Sequence, residues 1–337
     1  MTERPKVVVT HRIHEPVREF LGHKCEVVAN EDVESWSAST LLNHARDADA
    51  VMAFMPDRID EAFLAACNRL KIVAAALKGY DNIDVEACTR HGVWLTIVPD
   101  LLSAPTAELA LALVLGITRN VAAGDRLVRS GRFHGWRPVL YGAGMSGRTV
   151  GILGMGKLGQ AFARMLTGFN VNALYYDPVK LGPVQEAYLG IHRVDFEELI
   201  STSEIIVVLA PLTPATLHMI NAEVIAKMKP AAYLIDVGRG SVVDEQAVAH
   251  ALQLGHLAGY AADVFEMEDK ARPEAPAIVC PELMADSDHT LFTPHLGSAV
   301  KQVRMEIELA AAKSILQALS GEAPAGVINQ PSESVAK

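Results

Sequence analysis

The hydrophobic positions alternate between short, continuous apolar runs and longer segments with helical spacing. Short apolar runs are typical of strands buried on both faces of a parallel sheet, and the segments between them predict crossover helices. Helices are predicted at Leu41–Arg46 and Asp60–Cys67. The strands predicted in the first part of the chain are Val7–Thr10, Cys25–Ala29, Val51–Phe54, Ile72–Ala75 and Val93–Thr96. This alternation predicts a parallel sheet with helices on both faces.

A second alternating unit follows the loop-like segment Arg132–Gly147. One long helix is predicted from Pro105 toward Val128, with Ser103 as its possible cap, and another over Ser298–Leu319. The strands predicted in this unit are Thr149–Leu153, Val171–Tyr176, Ile205–Leu209, Tyr233–Val237, Gly259–Val264 and Leu291–Thr293.

The composition narrows the class of protein. The chain has 337 residues, of which 50% are hydrophobic and 21% charged, so two domains with sizeable cores are expected. The net charge is -10 and no basic run occurs, which argues against nucleic acid as a partner. An anionic substrate would therefore need a local cluster of cations. The cysteines lack metal-ligand spacing, and neither a signal peptide nor a membrane span is recognised, so we expect a cytoplasmic protein without a bound metal.

A glycine-rich turn predicts a dinucleotide site. Gly154-Met155-Gly156-Lys157-Leu158-Gly159 follows a predicted strand and precedes a helical pattern. The first glycine permits the turn, the second admits the pyrophosphate, and the third lets helix and strand pack closely. Asp177 ends the next strand at the usual separation for a ribose ligand. An acid there would repel a 2′-phosphate and so favours NAD over NADP, although nearby Lys180 could weaken that preference.

Two doubly wound α/β lobes are expected from this arrangement. A Rossmann-like NAD-binding lobe, residues 104–297, would be inserted into a flavodoxin-like substrate lobe made of residues 1–103 and 298–337. Besides the glycine turn and Asp177, we expect cofactor contacts from Thr106, Leu209, Ala210, Pro211, Gly238, Asp263 and Gly297.

Three later residues carry candidate chemistry, each near the end of a predicted strand. Arg239 offers a planar fork of donors for an oxyanion. His295 titrates near neutrality and suits proton transfer, and Glu268 could orient it. Each residue alone could be an ordinary loop residue. Because strand carboxyl ends line the ligand crevice of a doubly wound sheet, we expect the three side chains to converge.

These motifs resemble the D-isomer-specific 2-hydroxyacid dehydrogenase family over nearly the whole chain. The resemblance implies that Arg239 binds substrate, that His295 transfers the proton and that Glu268, rather than Glu266, tunes it. It also implies a homodimer. One departure is Asp269, which stands where the family motif usually has proline.

Five segments resemble more closely the phosphite (phosphonate) dehydrogenases within that family. In those enzymes Lys78, Arg304 and Met55 have counterparts, and the resemblance implies that all three bind substrate. Phosphite is a dianion near neutral pH, so Lys78, Arg239 and Arg304 would supply the cations that its burial needs. Alone, each could be a surface or core residue. The segments are Met52–Arg58, Ala76–Asn82, Gly240–Glu245, Gly259–Asp269 and His295–Val300.

The expected activity is therefore NAD-dependent oxidation of phosphite to phosphate. Two alternatives remain open. One is a D-2-hydroxyacid dehydrogenase of the glyoxylate or hydroxypyruvate reductase type, and the other is a non-catalytic NAD-sensing protein on the same fold. Lys78 together with Arg304 separates phosphite from the first alternative, and the trio of Arg239, Glu268 and His295 speaks against the second.

Overall fold

The structure is a computed structural model that describes residues 4–98, 100–269, 271–272 and 274–331. The chain divides into two compact units. Unit 1 contains the described residues of Met1–Leu101, Lys270–Pro273 and Val300–Lys337, and unit 2 contains those of Leu102–Asp269 and Glu274–Ala299. Both units are parallel-sheet α/β domains, so the expected fold class is confirmed.

Unit 1 is built on a parallel sheet of strand order β2-β1-β3-β4-β5, as far as the described residues extend. Its strands are β1 (Lys6–Val9), β2 (Glu26–Ala29), β3 (Ala50–Ala53), β4 (Ile72–Ala75) and β5 (Trp94–Thr96). Its helices, numbered in chain order, are α1 (Glu15–Gly22), α2 (Ala38–Ala45), α3 (Glu61–Ala66), α4 (Val85–Arg90) and α13 (Lys301–Leu319). Ser37, Asp60 and Asp84 start α2, α3 and α4, because each side chain accepts a hydrogen bond from a first-turn amide.

The segment after α13 returns to the edge strand β5. Val327 pairs with Thr96 in an antiparallel bridge. The Asn329 side chain accepts from the Leu95 amide at 2.8 Å and donates to the Val93 carbonyl at 2.9 Å. Residues that precede and follow unit 2 in the sequence therefore complete this edge together.

Unit 2 has a parallel sheet of strand order β12-β11-β10-β9-β6-β7-β8 within the described part of the chain. Its strands are β6 (Thr149–Leu153), β7 (Asn172–Tyr176), β8 (Ile191–Arg193), β9 (Ile205–Val208), β10 (Ala232–Asp236), β11 (Leu257–Ala262) and β12 (Thr290–Phe292). Its helices are α5 (Ser103–Thr118), α6 (Val121–Arg129), α7 (Lys157–Leu166), α8 (Pro183–Leu189), α9 (Phe196–Thr202), α10 (Ala222–Lys227), α11 (Glu245–Gln253) and α12 (Pro281–Ala285). Strand order reverses beside β6, and such a switch point is where doubly wound sheets bind ligands.

The prediction of a single helix from Pro105 to Val128 is wrong. The structure has two helices there, α5 and α6, with a bend of 63° between them. Asn120 lies between them with a φ of 54°, a left-handed conformation that asparagine tolerates and that ends a right-handed helix. Ser103 is the first residue of α5, and its side chain caps nothing. Among the described residues no single helix is both long and apolar enough to cross a membrane, and only α5 with α6 meets that length and composition as a bent pair.

Strand β8 was not predicted. It is three residues long, and of Ile191, His192 and Arg193 only Ile191 is buried. An edge strand with one buried side chain has no apolar run to reveal it. The other predicted strands lie within about two residues of the observed ones, which is the usual uncertainty of element ends.

Candidate active site

The glycine turn between β6 and α7 has the geometry of a dinucleotide site. Gly154 adopts a φ of 97°, which only glycine reaches readily. A Cβ on Gly159 would lie 2.2 Å from the Gly154 carbonyl oxygen, so this contact also requires glycine. A Cβ on Gly156 would meet nothing within 4 Å, so the space at the start of α7 is open. The residues present therefore fit a pyrophosphate at this helix N-terminus.

Asp177, the predicted ribose ligand, lies beside this turn. One carboxylate oxygen, Oδ2, accepts from the Met155 amide at 2.7 Å, and the other, Oδ1, accepts from the Val179 amide at 2.7 Å. Each oxygen keeps acceptor capacity, because a carboxylate oxygen can take more than one donor. Ribose binding by Asp177 stays a prediction.

Four of the other predicted cofactor residues follow the ends of β9 and β10, and two more, Lys157 and Leu158, open α7. A Cβ on Gly238 would lie 2.6 Å from the Ala210 carbonyl oxygen, so these two strand ends pack backbone against backbone. Leu209 and Ala210 are buried, whereas Pro211 and Lys157 are exposed and Leu158 is partly buried. Their cofactor contacts remain predictions.

Asp263 organises the turn that carries His295. Its Oδ1 accepts from the Thr293 hydroxyl and the Leu296 amide, both at 2.6 Å, and its Oδ2 accepts from the Gly297 amide at 2.8 Å. Burial raises the pKa of the Asp263 carboxyl, and these donors oppose that effect. Sequence reasoning suggested only a cofactor contact here, which is still a prediction, and it missed this structural role.

His295 itself has a left-handed backbone, with a φ of 54°. Such a conformation in a non-glycine residue costs on the order of 1–3 kcal/mol and persists where surrounding contacts impose it. The His295 amide donates to the Asp263 carbonyl at 2.9 Å, so the same aspartate holds the turn through backbone and side chain. A Cβ on Gly297 would lie 3.0 Å from the Thr106 hydroxyl oxygen, which brings predicted residue Thr106 to this turn.

The structure brings Glu268 and His295 together. Glu268 Oε2 lies 2.6 Å from His295 Nδ1, and both side chains are partly buried, at 27% and 29% exposure. The other carboxylate oxygen, Oε1, accepts from the Phe265 amide at 2.9 Å. His295 Nε2 is consequently the ring nitrogen left to face a substrate. Glu266, the rejected candidate, bonds instead to His218 at 2.9 Å.

Arg239 follows β10 in the same unit. It is partly buried, and its guanidinium donates to the Gly238 carbonyl at 3.0 Å. Asp236, two residues before Gly238, is fully buried, and burial raises the pKa of its carboxyl well above the usual value.

In unit 1, two of the predicted substrate residues meet at the turn after β3. The Arg304 guanidinium lies over the Phe54 ring, 5.5 Å from its centroid, and burial lowers the pKa of Arg304. Met55 follows Phe54 and is partly buried. Asn82 joins the Lys78 segment to this turn, because its side-chain amide donates to the Met55 carbonyl at 3.3 Å. Lys78 is itself partly buried, and substrate binding by these residues stays a prediction.

His11 is a candidate that sequence reasoning missed. Its ring centroid lies 5.3 Å from that of Phe54, and its Nδ1 lies 3.9 Å from the Asp57 carboxylate. Burial lowers the pKa of His11, Asp57 raises it, and Arg304 lowers it further. The position of His11 just after a predicted strand is the signal that could have revealed it.

Comparison with known proteins identifies the class. Residues 111–297 match the family model for the D-isomer specific 2-hydroxyacid dehydrogenase, NAD binding domain. The chain is 37% identical to a glyoxylate reductase of Thermococcus onnurineus and 35% identical to one of Thermofilum pendens, in each case over 97% of this chain and at least 95% of the relative. An NADPH-dependent glyoxylate/hydroxypyruvate reductase from Sinorhizobium meliloti, solved with NADP and malonate, superimposes with a TM-score of 0.82 at 28% identity, covering 97% of both chains.

The chain belongs to the D-isomer-specific 2-hydroxyacid dehydrogenase family, and it is an NAD-dependent oxidoreductase. The predicted family and the predicted cofactor are thus confirmed. The narrower prediction of a phosphite dehydrogenase is not supported by these comparisons, because the relatives are named glyoxylate reductases. Their names favour the alternative, a dehydrogenase of 2-hydroxy acids.

Proposed function

We propose that this enzyme transfers a hydride from a small oxyanion to NAD+, with His295 as the base and Arg239 as the anchor of the anion. The observation that supports these roles is the 2.6 Å contact between Glu268 and His295, beside a turn held in a left-handed conformation. Strain of this kind clusters at functional sites.

The proposed proton transfer follows from that contact. Glu268 fixes the His295 tautomer by accepting from Nδ1, so the lone pair at Nε2 is available to take a proton. The negative carboxylate also stabilises the imidazolium that forms. When bound, the nicotinamide supplies the acceptor for the hydride. Arg239 would orient the oxyanion and stabilise negative charge that grows during the reaction.

We propose phosphite as the substrate, and the lysine at position 78 is the observation that carries this choice. Phosphite would lose a hydride from phosphorus and gain an oxygen from water, giving phosphate, while the water proton passes to His295 Nε2. Lys78, Arg239 and Arg304 would balance its two negative charges, and a buried dianion without such partners would be strongly disfavoured. A monocarboxylate needs fewer cations.

The second candidate substrate is a D-2-hydroxy acid, as in glyoxylate or hydroxypyruvate reductases. The relatives' names favour it over phosphite. In that reaction His295 Nε2 would take the proton of the substrate hydroxyl as the hydride leaves carbon. The two candidates share Arg239, Glu268 and His295 and differ in their need for Lys78 and Arg304.

One assay separates the two substrates. NADH formation is measured with phosphite, D-glycerate and D-lactate, and NADH consumption with glyoxylate and hydroxypyruvate. We expect phosphite to give the highest kcat/KM. A higher kcat/KM with any of the organic acids would reject phosphite and leave the hydroxy-acid reading.

The role of Lys78 is tested with Lys78→Ala. Loss of one buried charge partner costs about 3–5 kcal/mol, so phosphite kcat/KM should fall by roughly 10²-fold or more, with little change in NAD+ affinity. Lys71→Ala is the matched control, because Lys71 is an exposed lysine of the same unit. Equal phosphite kinetics in both variants would show that Lys78 has no substrate role.

We also propose a homodimer. Unit 2 exposes large apolar side chains within a short stretch after α6, among them Trp136 at 83% and Tyr141 at 77%. Apolar residues concentrated on a surface mark protein interfaces, and a second copy of the chain is the partner we propose. Light scattering should report a dimer for the wild type and monomer for Trp136→Glu. Val184→Glu, at an equally exposed valine of α8, should stay dimeric.

A further inference from the structure

Two buried glutamates of unit 2 bind each other's backbone. The Glu266 amide donates to Glu245 Oε1 at 2.9 Å, and the Glu245 amide donates to Glu266 Oε1 at 3.2 Å. The exposed fractions of the two residues are only 2% and 8%. We call this reciprocal pair the glutamate clasp. The reaction described above uses neither residue.

The clasp joins the two segments that carry Arg239 and Glu268. Glu245 is the first residue of α11, which begins shortly after Arg239. Glu266 opens the short 3₁₀ turn Glu266–Glu268. The clasp therefore ties the anion anchor to the partner of His295 through the backbone of both segments.

Two further contacts fasten the same segments. A Cβ on Gly240 would lie 1.9 Å from the Phe265 carbonyl carbon, so the backbones touch directly. The Ser241 amide donates to Asp269 Oδ2 at 2.8 Å. These contacts flank the clasp, so both segments are held at several points and not at a single hinge.

The outer oxygens of the clasp are also occupied. Glu245 Oε2 accepts from the Cys280 amide at 2.8 Å, and Glu266 Oε2 lies 2.9 Å from His218 Nε2. The His218 amide in turn donates to the Ser241 carbonyl at 2.8 Å.

Keeping two carboxylates at this place is energetically unfavourable. Burial raises the pKa of Glu245, and nearby Glu266 and Glu268 raise it further, while the Cys280 and Glu266 amides lower it. The N-terminus of α11 offsets part of this cost, because the helix dipole stabilises a negative charge in the first turn. The charged and titratable groups around the clasp are Asp236, Arg239, Asp269, His218, Tyr260, Cys280 and Glu268.

We propose that the glutamate clasp is a positioning device for catalysis: it fixes Glu268 against His295 and Arg239 against the substrate. The inference rests on the proposed roles of those three residues. Glu268 lies two residues after Glu266 in one short turn, and its Oε1 accepts from the Phe265 amide, so the place of its Oε2 opposite His295 depends on that turn. Loss of the clasp would remove two of the hydrogen bonds that hold this turn, so Glu268 would be held less firmly against His295 and would stabilise the imidazolium less.

The test compares Glu266→Ala with Glu266→Gln. Glutamine can accept from the Glu245 amide, and its NH2 group can donate to His218 Nε2 in the ring tautomer that carries its proton on Nδ1, so it should keep kcat within about threefold. Alanine removes both bonds and should lower kcat by about tenfold or more, with KM for NAD+ nearly unchanged. It should also move the acidic limb of kcat to lower pH, because the imidazolium is less stabilised. Glu223→Ala, at an exposed first-turn acid of α10, should change neither.

Glu268→Gln serves as the reference variant. If it leaves kcat and the acidic limb unchanged, the proposed proton transfer is wrong, and the inference falls with it. If Glu268→Gln moves the limb and Glu266→Ala does not, only the clasp inference is overturned. A Glu266→Gln enzyme as impaired as Glu266→Ala would also overturn it, because hydrogen bonding would then not explain the effect.

Glu245→Gln provides a second variant in case Glu266→Ala does not fold. It keeps the side-chain volume, but its amide must face either the Cys280 or the Glu266 amide, so one bond is lost. We expect the same downward shift of the acidic limb. Wild-type kcat and an unchanged limb in Glu245→Gln would contradict the proposal.

Discussion

Two turns at strand ends of unit 2 reach left-handed backbone conformations by different means. The turn after β6 does so with glycine, at Gly154, where no side chain opposes the conformation. The turn after β12 does so with a histidine, His295, and depends on three hydrogen bonds to the Asp263 carboxylate. The first turn is therefore encoded locally, and the second is imposed by a residue more than thirty positions away.

This difference follows from what each turn must present. In the proposed function the glycine turn offers its backbone to the cofactor, so a missing side chain is an advantage there. The proposed role of the histidine turn is to present an imidazole, so glycine cannot serve at that position and the conformation has to be stabilised by other residues.

The largest effect is expected for His295→Asn. Asparagine tolerates a left-handed backbone, so the turn should persist while the base is lost. We expect kcat to fall by about 10²–10⁴-fold and NAD+ binding, measured by fluorescence, to be retained. His192→Asn is the control, since His192 is exposed on β8. If His295→Asn keeps most of its activity, the proton goes to another group.

Asp263→Ala should show that the histidine turn depends on its distant support. The Leu296 and Gly297 amides and the Thr293 hydroxyl would lose their acceptor. Each buried donor left unpaired costs about 1–3 kcal/mol, so with three donors the free energy of unfolding should fall by about 3 kcal/mol or more. Thermal unfolding measures the loss. A variant as stable as the wild type would mean that the turn holds its own conformation.

Alanine substitutions test the glycine turn. The Cβ of Gly159→Ala would overlap the Gly154 carbonyl, so we expect a loss of about 1–3 kcal/mol in stability together with weaker NAD+ binding. Gly156→Ala is the matched variant, because its Cβ meets open space. It should keep wild-type stability and lose NAD+ affinity alone. Equal melting temperatures for the two variants would contradict the assigned packing role of Gly159.

The smallest effect concerns pH. Because burial raises the pKa of Asp263, the folded state holds that proton more tightly than the unfolded state. The contribution of Asp263 to the free energy of unfolding is therefore greatest at low pH. It declines as the pH rises from the usual pKa of an aspartate in the unfolded chain through the raised pKa of the folded state. Asp263→Asn does not titrate, so the stability difference between wild type and variant should shift against the wild type over that range. A difference that is independent of pH would exclude the effect.

The contrast also explains what could be predicted from sequence. The strands, the glycine turn and the position of Asp177 depend on local residue patterns, and they were found close to their actual places. The family motifs selected Arg239, Glu268 and His295, and the structure brings Glu268 and His295 together. The support of His295 by Asp263 and the clasp between Glu245 and Glu266 depend on contacts between distant segments, so no local pattern reveals them.

Three features of the structure were not predicted, and each omission has its own physical reason. Apolar spacing continues across Asn120, so the bend between α5 and α6 was not seen. Strand β8 has one buried residue, Ile191, and too little apolar character to stand out. His11 was missed because its neighbours come from two distant parts of the sequence, Phe54 and Asp57 from one turn and Arg304 from α13.

The hydrogen bonds between Asn329 and the edge strand β5 affect the order in which the two units can fold during translation. During translation Leu95 is synthesised long before Asn329, and all of unit 2 is synthesised between them. Unit 2 can thus fold during translation, because its residues are nearly continuous in sequence. Unit 1 can complete its sheet edge and pack α13 only after residues 301–329 have been synthesised. The order of synthesis therefore allows the NAD-binding unit to complete its fold before unit 1 does.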